Sequence, residues 1–177
     1  GRDLTEGFGI FPWTPDVHTV AIETARFVGD GVAAVAAIDE RTACRAAELI
    51  DVTYEVLPAA TDLETAKARP EIGLGQKKKD NVSKEVELAF GDVDAEFAGS
   101  DVVLEGDYGF HGSAHVPIET HCVIAQVDGT GLLTVWASTQ VPHYLHRELS
   151  RVLGVSAARI RVIQPPVGGA FGGKSEP

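Results

Sequence analysis

Seven residues near the end of the chain, 168–174, contain four glycines. Glycine loses more conformational freedom on folding than any other residue, so a helix or strand of this composition is unfavourable. The run therefore predicts a loop that needs backbone angles closed to other residues, or whose backbone lies close to a ligand. Successive backbone N–H groups in such a loop suit oxo or phosphate oxygens. A flexible turn between two elements is the alternative interpretation.

The same run matches the phosphate-loop pattern from Gly168 to Ser175, and a predicted strand precedes it. A phosphate loop leads straight into a long helix whose N-terminus faces the phosphates. Here Pro165 and Pro166 separate the strand from the loop, and Pro177 falls where that helix would be forming. A phosphate-loop nucleotide-binding protein is therefore an alternative function, and it requires a helix directly after Ser175.

Composition narrows the class of protein. An apolar content of 44% and a charged content of 23% are typical of a soluble globular chain. The longest nearly apolar stretch, residues 31–38, is far shorter than the roughly 18 residues that span a membrane, and a net charge of −11 disfavours nucleic acid as a partner. Cys44 and Cys122 are too few for an iron–sulfur or zinc site and predict a reduced, cytoplasmic compartment. The lack of methionine predicts a piece of a longer protein.

The first part of the chain has the pattern of a compact α+β or βαβ unit. Residues 26–38 carry apolar side chains on both faces and predict a buried strand, after which Asp39 suits the N-cap of a helix. Residues 52–56 alternate as in a half-buried strand that Pro58 ends, and residues 62–68 predict a short helix. The predicted core face of the first helix repeats at helical spacing: Ala43, Ala46, Ala47 and Ile50.

A stretch rich in glycine, proline and charge separates two predicted domains. Residues 69–84 are the predicted linker, which leaves domains over residues 1–68 and 85–177. Early in the second domain, Asp92 suits the N-cap of a short helix that runs through Ala98.

The rest of the second domain predicts strands around one helix. Asp128-Gly129 is typical of a hairpin turn, because both residues tolerate positive φ. Pro142 suits the first turn of the helix and Gly154 its end. The predicted strands cover residues 102–110, 116–127, 132–138 and 159–163. The predicted buried stripe of the helix consists of Leu145, Leu149, Val152 and Leu153.

Several short motifs follow one another along the chain. Residues 138–140 read Ser-Thr-Gln, a helix and Leu-Gly follow, then Arg-Ile-Arg-Val, and residues 169–174 read Gly-Ala-Phe-Gly-Gly-Lys. Upstream lie Phe-Gly-Asp-Val at 90–93 and Glu-Thr-His-Cys at 119–122. Together with motifs within residues 26–58, this ordered series resembles the molybdenum-cofactor subunits of the xanthine oxidase family. The resemblance implies an α+β fold: the second half of an α/β hammerhead domain followed by the first βα portion of a molybdopterin-binding domain.

The resemblance also implies the residues of a cofactor site. Gln140 would place its side-chain amide, a neutral donor, against an oxo ligand of the metal. Phe171 would offer its backbone N–H near the metal while its ring lines the substrate cavity. The remaining loop residues would let the cofactor approach closely: Gly169, Ala170, Gly172 and Gly173. Ala170 replaces the commoner glycine of the family, so its φ is expected to be negative.

No catalytic residue is expected within this chain, because the general base of the family is a glutamate near the end of the full subunit. Glu119 is not taken as that base, and Lys174 is interpreted as structural. Ser175 stands where purine-oxidising members carry a glutamate, and it is expected to line the substrate pocket. An aldehyde, N-heterocycle or aromatic acyl-thioester is therefore favoured over a purine. Residues 141–147 and 90–97 look most like the 4-hydroxybenzoyl-CoA reductase branch, which runs the reaction reductively.

The resemblance implies molybdopterin with Mo, in its cytosine dinucleotide form, and FAD and 2Fe–2S clusters on partner subunits or domains. The chain would act with the remainder of the molybdenum subunit on a small-molecule substrate, and alone it would be inactive. A non-catalytic fragment for packing and subunit assembly is a third interpretation. His143 and His146 lie three apart on one helix, but no third metal ligand is evident, so they are interpreted as solvent-facing or helix-packing side chains.

Overall fold

The computed structural model describes residues 7–9, 15, 17–73, 80–82 and 84–176. Helices and strands occur together, as the sequence predicts. The helices are α1 Glu40–Glu48, α2 Leu63–Ala68, α3 Val93–Gly99 and α4 Pro142–Leu153, with single 3₁₀ turns at Pro70–Ile72 and Ala157–Arg159. The strands are β1 Val123–Val127, β2 Leu133–Ala137 and β3 Ile160–Ile163. No helix among these residues is both long enough and apolar enough to cross a membrane. Seven of the 16 residues of the predicted linker, 74–79 and 83, lie outside the described residues.

The three strands form one sheet in the order β1-β2-β3. β1 and β2 are antiparallel, with Ala125 opposite Val135, whereas β2 and β3 are parallel, with Val135 opposite Val162. A parallel pair needs a long crossover connection instead of a tight turn, and α4 supplies it while packing against β3. Val135, Ala137 and Ile160 are buried and form the core of this β1-β2-α4-β3 unit.

The connection between β1 and β2 is organised by one carboxylate. Oδ1 of Asp128 accepts the hydroxyl of Thr130 at 2.7 Å and the backbone N–H groups of Thr130 and Leu132 at 2.8 and 3.0 Å. The predicted hairpin is therefore confirmed. The positive φ falls on Gly131, at 80°, and on neither residue of the predicted Asp128-Gly129 pair. The loop is longer than a two-residue turn, so the residue with positive φ lies nearer to β2.

The predicted helix boundaries hold. Each of the first three helices begins at an aspartate whose carboxylate accepts a backbone N–H three residues on. The donor–acceptor distances are 2.7 Å at Asp39, 2.7 Å at Asp62 and 3.0 Å at Asp92. α4 begins at Pro142 and ends at Gly154, whose φ of 64° is the left-handed conformation typical of a helix C-terminus.

The interior side of α4 differs from the prediction. The four predicted apolar residues are at most half-buried: Leu145, Leu149 and Val152 are half-buried and Leu153 is exposed. The buried residue is Glu148, which pairs with Arg147 at 2.8 Å and with Arg151 at 2.5 Å. Burial raises the pKa of Glu148, but the hydrogen bonds from Arg151 and Arg147 outweigh it and hold that pKa below its ordinary value. Two guanidinium partners make a buried carboxylate tolerable on this face.

Three predicted strands are not formed. Residues 26–38, 52–56 and 102–110 contain no strand, and the large side chains of Ile38 and Val56 are 94% and 91% exposed. The prediction of a buried strand over residues 26–38 is therefore wrong for the described structure. A strand needs a neighbouring strand to satisfy its backbone, and none lies beside these segments within the described residues. For the same reason the predicted core face of α1 is open: Ala43 and Ala46 are half-buried, and Ala47 and Ile50 are exposed.

Candidate functional site

The glycine loop and Gln140 lie together because β2 and β3 are parallel. Strands that run in the same direction end at the same edge of a sheet. Gln140 follows β2, which ends at Ala137, and the loop over residues 168–174 follows β3, which ends at Ile163. The topology of the sheet therefore brings together two segments that are far apart in sequence.

The loop takes the backbone conformation that its composition predicts. Three of its residues have positive φ, 93° at Gly169, 52° at Phe171 and 92° at Gly172. Ala170 is not among them, which confirms the expected negative φ at that position. A phenylalanine in the left-handed region is strained by about 1–3 kcal/mol. The ring of Phe171 is 75% exposed, so packing of the ring does not offset this strain within the described residues.

Two backbone hydrogen bonds close the loop, and the backbone N–H groups before them remain available as donors. The N–H of Gly173 donates to the carbonyl of Ala170 at 2.8 Å, and that of Ser175 donates to Gly172 at 3.2 Å. The four N–H groups of residues 169–172 have no hydrogen-bond partner in the described part of the chain. Four successive donors without partners, on a backbone in which three of the four φ values are positive, fit an oxygen-rich anionic group. The donor set therefore suits the oxygens of a molybdopterin cofactor.

Gln140 is bonded to the end of the loop through its backbone and its side chain. Its N–H donates to the carbonyl of Lys174 at 3.1 Å, and its Oε1 accepts the N–H of Lys174 at 3.3 Å. Thr139 adds a hydroxyl that donates to the same carbonyl at 3.3 Å. Because a backbone N–H can only donate, the amide oxygen of Gln140 must face Lys174. The amide nitrogen is left as a donor without a partner among the described residues, which suits the predicted role.

Lys174 and Glu119 form an ion pair at the base of the loop. Nζ of Lys174 lies 2.5 Å from Oε2 of Glu119, and the side chain of Lys174 is fully buried. The same oxygen accepts the N–H of Gly168 at 2.8 Å. The ammonium of Lys174 and then the N–H of Gly168 hold the pKa of Glu119 below its ordinary value. The structural interpretation of Lys174 agrees with this arrangement.

Two histidines before β1 also contact the loop. Nε2 of His121 lies 3.0 Å from the carbonyl of Gly173, so that nitrogen must carry the proton. A Cβ built at Gly173 would lie only 2.9 Å from Cγ of His115, so this position needs glycine for close packing. The sequence predicts no loop contact for either histidine. Its only relevant signal is the Glu-Thr-His-Cys motif at 119–122, which contains His121.

The phosphate-loop alternative does not agree with the geometry. Residues 171–174 form turns, and Ser175 and Glu176 are not helical. Lys174 should reach toward the phosphates of a nucleotide in that motif, but here its side chain is buried against Glu119. Ser175 is half-buried at the end of the loop.

The two helix histidines lie in different environments. Nε2 of His146 lies 3.1 Å from the carbonyls of both Ala157 and Ile160, so the ring joins α4 to the start of β3. His143 is exposed. No cluster of three or more potential metal ligands occurs in the described ranges. The interpretation of these residues as packing and solvent-facing side chains is confirmed.

Comparison with known proteins identifies the class. Residues 74–177 match the molybdopterin cofactor-binding domain, and residues 3–58 match the a/b hammerhead domain of aldehyde oxidase and xanthine dehydrogenase. The nicotinate dehydrogenase large molybdopterin subunit of Eubacterium barkeri is 35% identical over 94% of this chain and 38% of its own length. A probable hypoxanthine oxidase of Escherichia coli K12 is 31% identical over 85% of this chain and 19% of its own length.

A solved structure agrees with these matches. CO dehydrogenase from Oligotropha carboxidovorans superposes with a TM-score of 0.60 and 31% identity, covering 78% of this chain and 19% of that one. The site thus belongs to a molybdopterin-binding domain. The chain is a member of the aldehyde oxidase and xanthine dehydrogenase family of molybdenum-dependent oxidoreductases, as the motif series indicates. It spans well under half the length of the relatives it matches.

Proposed function

We propose that this chain is part of the molybdenum-cofactor subunit of an oxidoreductase that hydroxylates, or reductively dehydroxylates, an aldehyde, N-heterocycle or aromatic acyl-thioester. One observation carries the proposal. The 3.3 Å hydrogen bond between the N–H of Lys174 and Oε1 of Gln140 joins the predicted metal-contacting amide to the predicted metal-contacting loop. Two segments that separate motifs assign to one cofactor therefore lie in contact.

The role that we propose for each residue of the site follows from the hydrogen-bond donors that have no partner among the described residues. Nε2 of Gln140 would donate to an oxo ligand of the metal, since Oε1 of the same amide accepts the N–H of Lys174. The N–H groups of Gly169, Ala170, Phe171 and Gly172 have no partner among the described residues and would donate to cofactor oxygens, while Gly173 allows the loop to pack closely against His115. The molybdenum cofactor, when bound, supplies the two-electron redox chemistry. The ring of Phe171 is exposed and would form one wall of the substrate cavity, with the half-buried Ser175 at its edge.

The names of two relatives favour an N-heterocycle among the three substrate classes. Nicotinate and hypoxanthine are both nitrogen-containing aromatic rings. Ser175 stands in place of the acidic residue of purine-oxidising members and offers no charge to a purine nitrogen. Hypoxanthine is a purine, so of these two substrates only nicotinate agrees with the lack of an acidic residue at position 175, and a single-ring N-heterocycle is the class we propose. The aromatic acyl-thioester remains the alternative because of residues 141–147 and 90–97.

Large apolar side chains on the surface of this chain support the proposal that other polypeptide segments cover it. Val28, Tyr108 and Ile118 are 105%, 96% and 100% exposed, and surfaces of this kind are normally covered by protein contacts. We propose that the remainder of the molybdenum subunit covers them, with domains over residues 1–68 and 85–177 and a linker between. We further propose the cytosine dinucleotide form of the cofactor, FAD and 2Fe–2S clusters on partner subunits, a general base outside this chain, and a reduced cytoplasmic compartment.

Replacement of Gln140 by alanine in the full-length protein tests the proposal. Loss of one preorganised donor is expected to lower kcat about 100-fold and to leave thermal unfolding nearly unchanged, because the side chain is exposed. Gln126→Ala, an exposed glutamine on β1, is the matched control and should keep full activity. Molybdenum and pterin are measured in the same preparations. Absence of both from the natural protein would favour the assembly interpretation, and unchanged turnover in Gln140→Ala would remove Gln140 from the site.

A further inference from the structure

One carboxylate oxygen holds both ends of the glycine loop. Oε2 of Glu119 accepts the backbone N–H of Gly168 at 2.8 Å and the ammonium of Lys174 at 2.5 Å. Gly168 begins the loop and Lys174 ends it. The two ends of the run are therefore fixed at a single atom, contributed by a segment that lies before β1.

The buried ammonium makes this attachment difficult to release. The side chain of Lys174 is 0% exposed, whereas that of Glu119 is 37% exposed. A buried ammonium without a counter-charge is energetically costly, so the end of the loop remains paired with Glu119. The constraint reaches Gln140 as well, because the backbone of Lys174 both donates to and accepts from that residue.

The strain within the loop needs an external support of this kind. Phe171 has a φ of 52°, and a left-handed phenylalanine persists only when surrounding contacts determine it. Its ring is largely exposed and does not provide those contacts among the described residues. The attachments at Gly168 and Lys174 enclose the strained position from both sides.

We propose that Glu119 is a positioning residue for the cofactor site. It holds the loop in the conformation that keeps the N–H groups of residues 169–172 free for the cofactor, and through Lys174 it orients the amide of Gln140. The inference rests on the proposed function and adds to it a residue that contacts neither cofactor nor substrate.

The test uses two variants of the full-length protein and one matched control. Glu119→Gln removes the charge while keeping the shape of the side chain. The double variant Glu119→Gln/Lys174→Met also removes the buried ammonium, so that no unpaired charge remains inside the protein. Glu148→Gln is the control, because Glu148 is also an ion-paired carboxylate, is itself buried, and lies on α4.

Hydrogen exchange is measured first on cofactor-free protein, by mass spectrometry of the peptide that covers residues 168–176. Both Glu119 variants are expected to exchange this peptide about tenfold faster than the natural protein, while Glu148→Gln leaves it unchanged. Molybdenum and pterin are then measured on protein made with cofactor. Their content is expected to fall about tenfold in both variants, a loss typical of residues that orient ligands at a metal site.

Three results separate the possible explanations. Unchanged exchange of residues 168–176 in Glu119→Gln overturns the proposal. Recovery of molybdenum content together with thermal stability in the double variant also overturns it, because the pair would then act only through stability. If the natural protein contains no molybdenum, the proposed function fails, whereas faster loop exchange in both variants still supports anchoring by Glu119.

Discussion

Replacement of Gly173 by alanine tests how closely the glycine loop packs against the segment before β1. A Cβ at this position would lie 2.9 Å from Cγ and 3.1 Å from Cβ of His115, well inside the roughly 3.5–4.0 Å at which carbon atoms attract. The φ of Gly173 is not positive, so only crowding is at issue. Overpacking of this kind costs about 1–3 kcal/mol. We therefore expect Gly173→Ala to make loop opening roughly 30-fold more frequent, which corresponds to about 2 kcal/mol.

Native-state hydrogen exchange of the peptide over residues 168–176 measures this opening in the full-length protein. Gly172→Ala gives the contrasting case, because its Cβ would lie 3.6 Å from His115 but its φ is 92°. Gly129→Ala is the control, since no atom lies within 4 Å and its φ is not positive. It should leave the loop peptide unchanged.

A double variant shows whether His115 is the cause. His115→Ala removes Cγ and Nδ1, which would lie 2.9 and 3.1 Å from the new Cβ at position 173. It keeps only the Cβ of residue 115 near that atom. In this background Gly173→Ala should cost at least about 1 kcal/mol less, a coupling within the usual range for residues in contact. If the two substitutions are additive to within about 0.5 kcal/mol, the contact with His115 is not what requires glycine, and the reasoning is refuted.

Two further predictions concern the sheet. The hydroxyl of Thr130 and nearby N–H groups hold the pKa of Asp128 below its ordinary value, so its contribution to stability is present above the unfolded pKa of about 3.9 and is lost as pH falls through the folded pKa. The hydrogen-exchange rate of the peptide over residues 123–137, corrected for intrinsic rates, should not change with pH above about pH 5 and should rise in more acid solution. In Asp128→Asn the corrected rate should be independent of pH throughout. A pH-independent rate in the natural protein would contradict this prediction. Ile160→Val, in the core, should cost about 1 kcal/mol in urea unfolding. Ile38→Val, at a position that is 94% exposed, should cost less than about 0.5 kcal/mol, and equal costs for the two variants would argue against the core assignment.

The sequence by itself determined the features whose interactions lie within a few residues. Asp39 and Asp92 each bond an N–H three residues away, and Asp128 closes its own turn. Gly154 ends α4 with a left-handed φ, and the glycines of the loop allow φ values that other residues avoid. These contacts depend only on residue type and local spacing, so their patterns predict them directly. The order of the motifs likewise sufficed to indicate the family.

The contacts that assemble the site were decided by the tertiary structure alone. Glu119 and Lys174 are 55 residues apart, and Lys174 meets Gln140 across 34 residues. Spacing in sequence does not determine such distances; the parallel pairing of β2 with β3 does, because it brings the ends of both strands to one edge. The buried Glu148 and the unformed strands over residues 26–38 and 52–56 have the same origin. Burial and strand pairing depend on which surfaces meet, and an apolar pattern shows only that a partner surface is needed.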